Sequence, residues 1–287
     1  GAMAISGLAI TFPLMNLVIA FCMFIAAGGS TICSIFLGQK DNKRATDVLN
    51  NVLVLAVIHS VVFGGLSLFF LDEILYFFGA TQETISYARE FMRIILYGTP
   101  ISYIFIALNN MMRATGYPKK AMITALLSVA VNLALAPIFI FVFKWGMMGA
   151  AVATVLGQVV TAILAIWYIV HMKLVKPRGE DFKMKGSICR KTLVLGITSF
   201  LSQISLVASM AAINNMIRKY GALDPVFGQE QYAQIPMAVV GIVMKFFQIV
   251  ISIVVGMAAG CIPVVGYNMG AGLKDRVKKL FTTLLIA

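Results

Sequence analysis

The side chains able to do chemistry in this 287-residue chain are few, and they sit inside long apolar stretches. Asn132, Gln158 and Gln203 are amides so placed. Ser199, Ser202, Ser205 and Ser209 accompany Gln203, while His59 and Lys245 are lone titratable groups in similar surroundings. Amides and hydroxyls of this kind bind rather than catalyse, exchanging hydrogen bonds with a ligand or a neighbouring helix. No Ser/His/Asp set, HExxH motif, phosphate-cradling glycine loop or intramembrane carboxylate pair accompanies them, so an enzyme is not expected. Without a nucleotide site, any work the protein does must draw on an ion gradient. Cys22, Cys33, Cys189 and Cys261 have no CxxC spacing and read as small hydrophobes rather than metal ligands or disulfides.

Each polar position carries two readings. Asn132 either makes an interhelical hydrogen bond worth about 1 kcal/mol or faces a cavity. Pro137 removes a backbone donor, which predicts a local kink; the alternative is a freed carbonyl near position 133 that ligates an ion. Gln158 faces the cavity or joins two helices. Ser202, Ser205 and Ser209 fall on one helix face, with Gln203 about 100° away, and this polar sector, with Ser199, predicts a cavity wall, the alternative being a helix–helix contact. Lys245 snorkels to headgroups from an overshooting helix, or faces the cavity. His59 reads as a buried neutral imidazole held by a hydrogen bond, the alternative being a proton relay. Gly149, Ala153 and Gly157, and again Gly256 and Gly260, recur every four residues and predict close helix packing.

The elements that carry these groups must cross lipid. The chain is 60% apolar and 12% charged, with a mean hydropathy of +0.94, whereas soluble domains are about half apolar and a quarter charged. The apolar runs are continuous and too long for barrel strands, so the fold class expected is all-α integral membrane. Seven stretches reach the roughly 20 residues a span needs: 4–37, 48–71, 91–112, 121–143, 147–170, 192–217 and 235–268. An eighth begins near Leu280. Pro13 and Pro263 are expected bend points in the two longest.

Most of the 23 Lys and Arg residues fall on alternate loops, around 38–47, 113–120, 171–191 and 274–279. The net charge of +12 is therefore assigned to topology and inner-leaflet lipid rather than nucleic acid. Basic loops in the cytoplasm make a multi-pass cell-membrane protein, bacterial inner membrane being the expected location. The first span then runs outside to inside. The chain opens in apolar sequence without a signal peptide, so an upstream helix is expected.

A shift of 232 residues lays the first span on the seventh. Ala26-Ala27-Gly28 falls on Ala258-Ala259-Gly260, Val18 and Ile19 on Val250 and Ile251, Gly38 on Gly270 and Arg44 on Arg276. Both copies run the same way through the membrane. Parallel repeats around a shared site are a transporter pattern. A period of this length implies six helices per half, with this chain holding the second to the eighth and the start of a ninth. The expected organisation is 1–172 as an N-terminal bundle of parent helices 2–6, 173–191 as an inter-bundle linker, and 192–287 as parent helices 7–8 and the beginning of 9.

Several stretches then look familiar: Phe12-Pro13-Leu14 with Gly28-Gly29, Leu37-Gly38-Gln39-Lys40-Asp41, Arg113-Ala114-Thr115-Gly116, Gly149-Ala150-Ala151-Val152-Ala153-Thr154, and Gly266-Tyr267-Asn268-Met269-Gly270-Ala271-Gly272. In this order and at these membrane ends, the chain resembles the multidrug and toxic compound extrusion (MATE) transporters over nearly its whole length. The resemblance implies a MATE-like pair of pseudo-two-fold related helical bundles around a central cavity. It also implies an antiporter exporting bulky amphipathic or cationic small molecules in exchange for Na⁺ or H⁺, without any other cofactor, and working as a monomer in lipid.

The family's first-half ion site uses an acid on the first helix, an asparagine and an aspartate four residues apart on the fifth, and a threonine on the sixth. The asparagine matches Asn132 and the threonine Thr154, but the aspartate position is Ala136, and no Asp or Glu occurs between 121 and 170. Thr198 and Tyr117-Pro118 are smaller departures. The residues expected to line the substrate cavity are Asn132, Gln158, Ser199, Ser202, Gln203 and Lys245. The rival function is a related lipid-linked saccharide flippase, which calls for a basic cavity; Lys245 is its one candidate.

Overall fold

The structure, a computed structural model, describes residues 2–286 apart from 81, 173–174, 176–182, 222, 224 and 227–234; a further set of helical residues, Lys245, Asn214 and Asn215 among them, is described by backbone alone. The described residues form ten α-helices: α1 (Ala2–Gly38), α2 (Asn42–Phe69), α3 (Leu71–Phe77), α4 (Ile85–Tyr97), α5 (Thr99–Ala114), α6 (Pro118–Pro137), α7 (Gly146–Val170), α8 (Gly186–Gly221), α9 (Ile235–Gly270) and α10 (Lys274–Ile286). Six helices are long and apolar enough to cross a membrane, and the bent pair α4–α5 makes a seventh.

Two spans depart from expectation. The third, read as one helix over 91–112, is broken at Gly98, where α4 and α5 meet at 55°. The cause is local: Pro100 in the first turn of α5 cannot donate backward, so the preceding helix ends before it. The fourth is not kinked sharply at Pro137. Instead α6 passes into a π-helical turn, Ile138–Val142, in which the Phe143 amide donates to the Ile138 carbonyl. A wider turn accommodates the missing proline donor without breaking the span. Pro13 and Pro263 lie inside α1 and α9 without interrupting either.

The core lies among α1, α2, α4, α5 and α7, with Leu14, Ile25, Leu49, Met92, Leu96, Leu108 and Met111 buried. Lipid is as apolar as leucine, so helices in a membrane associate through close fit and hydrogen bonds. Glycines supply the fit. Gly149 lies against Phe139, and Gly157 against Ser128 and Asn132, seating α7 on α6. Gly28 and Gly196 bring α1 and α8 together so closely that a Cβ on either would overlap the other helix's backbone. Among the described residues nothing lies within 4 Å of a Cβ built on Gly256 or Gly260.

The repeat reappears bond for bond. In the first copy the amides of Gln39, Lys40 and Asp41 donate to the carbonyls of Ile35, Leu37 and Phe36. In the second those of Ala271, Gly272 and Leu273 donate to Tyr267, Met269 and Asn268, the same three bonds 232 residues on. Each is a Schellman cap with a left-handed residue at its turn, Lys40 (φ 60°) in one and Gly272 (φ 73°) in the other. The two caps also touch. A Cβ on Gly38 would overlap the Tyr267 carbonyl, and one on Gly270 the Ile35 carbonyl, while Gly266 faces Ser34. Tyr267 is the counterpart of Ile35, and Gly266 of Ser34. Reciprocal contacts of this kind are the signature of a two-fold axis, here a pseudo-axis between α1 and α9.

Candidate functional site

Beside that axis, within the membrane, a cleft of about 290 Å³ opens between α1, α8 and α9, lined by Asn16, Gln203, Ser209, Gln248 and Ser252 among apolar groups such as Leu206 and Phe247. Asn16 and Gln248 are repeat counterparts, 232 residues apart, so each copy sends one amide to the same space. Ser252 donates its hydroxyl proton to the Gln248 carbonyl at 2.7 Å, which leaves the Gln248 amide side chain free of that bond. No charged side chain lines the cleft among the described residues. Such a lining offers hydrogen bonds at chosen points and apolar contact elsewhere, the usual design of a small-molecule site.

The expected cavity residues divide. Gln203 lines the cleft. Ser199 is half-buried on α8, and Ser202, exposed, turns its hydroxyl to the Thr198 carbonyl at 2.9 Å. Asn132 and Gln158 lie elsewhere, on α6 and α7. The Asn132 amide donates to the Thr154 hydroxyl oxygen at 3.0 Å, joining α6 to α7, and Thr154 in turn donates to the Ala150 carbonyl. The Ser102 hydroxyl donates to Gln158, joining α5 to α7. Both amides therefore serve as polar contacts between helices, because each finds a partner at the height where it crosses. The side chain of Lys245 lies outside the described residues.

The residues matching the family's first-half ion site, Asn132 and Thr154, do come together, with Ala136 one turn further along α6. Both groups are neutral, and no Asp or Glu between 121 and 170 joins them. Asn16, Gln248 and Ser252 went unnoticed in the sequence. The signal was available, because the 232-residue shift pairs Asn16 with Gln248 in otherwise apolar helices.

A second cavity, of about 710 Å³, opens at the basic-loop end between α1, the α5–α6 turn and α9. Lys40, Arg113, Asn42, Thr115 and Asn268 line it, with Pro263 and Gly260 on its apolar side. Arg113 donates to the side-chain oxygen (Oδ1) of Asn109 at 2.7 Å.

At the same end a polar network fastens α8 to α2. Lys185 donates its backbone N–H to the Asn51 side chain at 2.7 Å and its ammonium to Asp47 at 2.5 Å. The Cys189 thiol also donates to Asn51. With its preceding amide anchored in this way, α8 starts at Gly186, earlier than the span at 192 expected from hydropathy.

Known proteins share this arrangement. A sequence model of the MatE family matches residues 1–138 and 201–287. The multidrug export protein MepA of Staphylococcus haemolyticus is 26% identical over 290 residues, covering 98% of this chain and 61% of that protein. MepA of Staphylococcus aureus (strain NCTC 8325 / PS 47) is 26% identical over 291 residues, covering 99% and 60%. Among solved structures, a MATE protein in complex with MaL6 matches with a TM-score of 0.89 at 26% identity, covering 99% of this chain and 61% of that one. A MOP superfamily transporter from Pyrococcus furiosus, described as having a binding pocket of reverse polarity, matches with a TM-score of 0.88 at 25% identity, with the same coverage. The chain spans about three fifths of the length of these relatives. The duplicated helix, its matched caps and these likenesses agree: this multi-pass, all-helical membrane chain belongs to the MatE family.

Proposed function

We propose that the protein of which this chain is part is a secondary antiporter that exports amphipathic or cationic drugs in exchange for Na⁺ or H⁺. The observation that carries this reading is the cleft at the repeat axis, without a charged side chain among the described residues, to which Asn16 and Gln248 contribute one amide from each copy. A site lined by amides, hydroxyls and apolar groups accepts a bulky cation without repelling it and without demanding a single shape. A site shared by two copies also changes its exposure when one bundle rocks against the other. The export activity named for the MepA relatives agrees with this. The basic loops face the cytoplasm in this reading. Residues 1–172 and 192–287 belong to separate bundles of a monomer in the cell membrane. In cells expressing the full-length protein, ethidium accumulation should fall, and collapsing the Na⁺ and H⁺ gradients together should restore it. Unchanged accumulation with both gradients intact would refute drug export.

One observation favours a second reading. Lys40 and Arg113 line the larger cavity, and two cations suit an anionic lipid-linked saccharide better than a cationic drug. Transbilayer movement of a fluorescent lipid pyrophosphate in proteoliposomes, without ethidium export, would select the flippase.

A further inference from the structure

We propose that His59 binds the transported proton in the first bundle and passes its effect to the wall of the cleft through an aromatic relay; this rests on the antiport reading above, with H⁺ as the coupling ion. His59, on α2, stacks on Phe21 of α1 with ring centroids 5.5 Å apart, on Phe63 at 6.0 Å and on Tyr103 of α5 at 5.7 Å. The His59 Nδ1 and the Tyr103 hydroxyl are both buried without a hydrogen-bond partner, and Tyr103 is 0% exposed. The hydrogen bond expected for this histidine is thus missing at Nδ1. An unpaired buried polar atom is costly, and in native proteins it marks a missing water or a functional group. Two of them on stacked rings point to a place where a water or a proton completes the set.

The surroundings suit a proton. Aromatic faces attract a cation, so the rings around His59 support an imidazolium without a carboxylate. The helices packed against α2 are α1, α3, α4, α5 and α8. From α1 the nearest ionisable group is the buried Cys22 thiol, and from α5 the Tyr103 hydroxyl. On α4, Arg89 is tied to Asp72 of α3 by two hydrogen bonds of 2.7 Å. On α8, Cys189 is engaged with Asn51 at the basic-loop end. On α2 itself, Asp47 lies about 18 Å along the helix at 1.5 Å per residue and is paired with Lys185. Asn132, Ala136 and Thr154 supply no acid, so His59 takes the role that their set leaves empty.

The relay follows from the same rings. Phe21 also packs on Phe200 of α8, with centroids 4.8 Å apart, and Phe24 packs on it at 5.4 Å. Phe200 stands one turn beyond Gly196, which meets the Phe24 backbone, and three residues before Gln203 of the cleft. A charge arriving on His59 changes how Phe21 stacks, and Phe21 is held between α2 and α8. The step is a simple proton transfer. Hydronium on one side of the membrane gives its proton to the free imidazole nitrogen, and water on the other side takes it back, with no electron transferred.

The test uses the full-length protein in proteoliposomes, with ethidium as substrate and either a pH or a Na⁺ gradient imposed. His59→Gln should lower pH-driven export about tenfold and flatten the pH profile of the initial rate, while ethidium affinity in detergent stays within about twofold. Tyr103→Phe should shift the profile without abolishing export. A wild-type pH profile in His59→Gln overturns the proposal. Export by the wild type under neither gradient would sink the antiport reading instead, and the proton site is then read directly. The chain has two histidines, so labelled imidazole NMR with His171→Gln isolates His59. A titration between about pH 5 and 8 supports the assignment, and no titration there overturns it.

Discussion

The passage from α1 into α2 and that from α9 into α10 share the three backbone bonds that close their caps, yet their neighbours differ. The apolar window of α1 is 44% buried and that of α9 only 6%. Gly28 receives α8 in backbone contact, while its counterpart Gly260 meets nothing within 4 Å. Asp47 and Asn51 anchor Lys185, while their counterparts are Lys279 and Thr283. Identical turns in unlike surroundings show that the cap is dictated by a few local residues. The burial of α1 follows from the arrival of α8 at Gly28; α9 belongs to a chain that spans about three fifths of its relatives' length.

The widest separation between the copies should come from their matched glycines. Gly28→Val forces a side chain into the Thr192 carbonyl of α8 and should cost about 3 kcal/mol, whereas Gly260→Val in this same chain should cost under about 1 kcal/mol. Thermal unfolding in detergent measures both, and equal losses would break the comparison. A smaller difference is expected at the anchor. Asn51→Ala strands the Lys185 amide and should cost about 1–3 kcal/mol, while Thr283→Ala should stay within about 0.5 kcal/mol. Hydrogen exchange at the start of α8 should rise in the first variant alone. The smallest effect should appear at the left-handed cap residue. Lys40→Gly should stabilise by about 1 kcal/mol and Gly272→Lys should destabilise by a similar amount. The same sign at both sites would mean that the two caps are not equivalent.

Much of the fold could be read from the residues, for identifiable reasons. Continuous apolar runs gave the spans, and Gly38, Gly270 and the basic loops gave the repeat. The break at Gly98 hid because hydropathy does not fall there; Gly-Thr-Pro carried the signal instead. The equivalence of Lys40 and Gly272 hid because their letters differ while their φ angles agree. The site was less legible. An amide such as Gln158 looks the same whether it faces a ligand or a helix, and its partner Ser102 lies 56 positions away. Asn16 and Gln248 gain meaning only as a pair placed by the axis.

The interlocked caps at Gly38 and Gly270 also set a mechanical scale. Each carbonyl occupies the room that a side chain on the opposite glycine would need, so the two helices meet there as a fulcrum. A helix of 36 residues, the length of α9, reaches about 54 Å from such a pivot. A swing of about 10° would carry the far tip about 9 Å, while the near end stays shut.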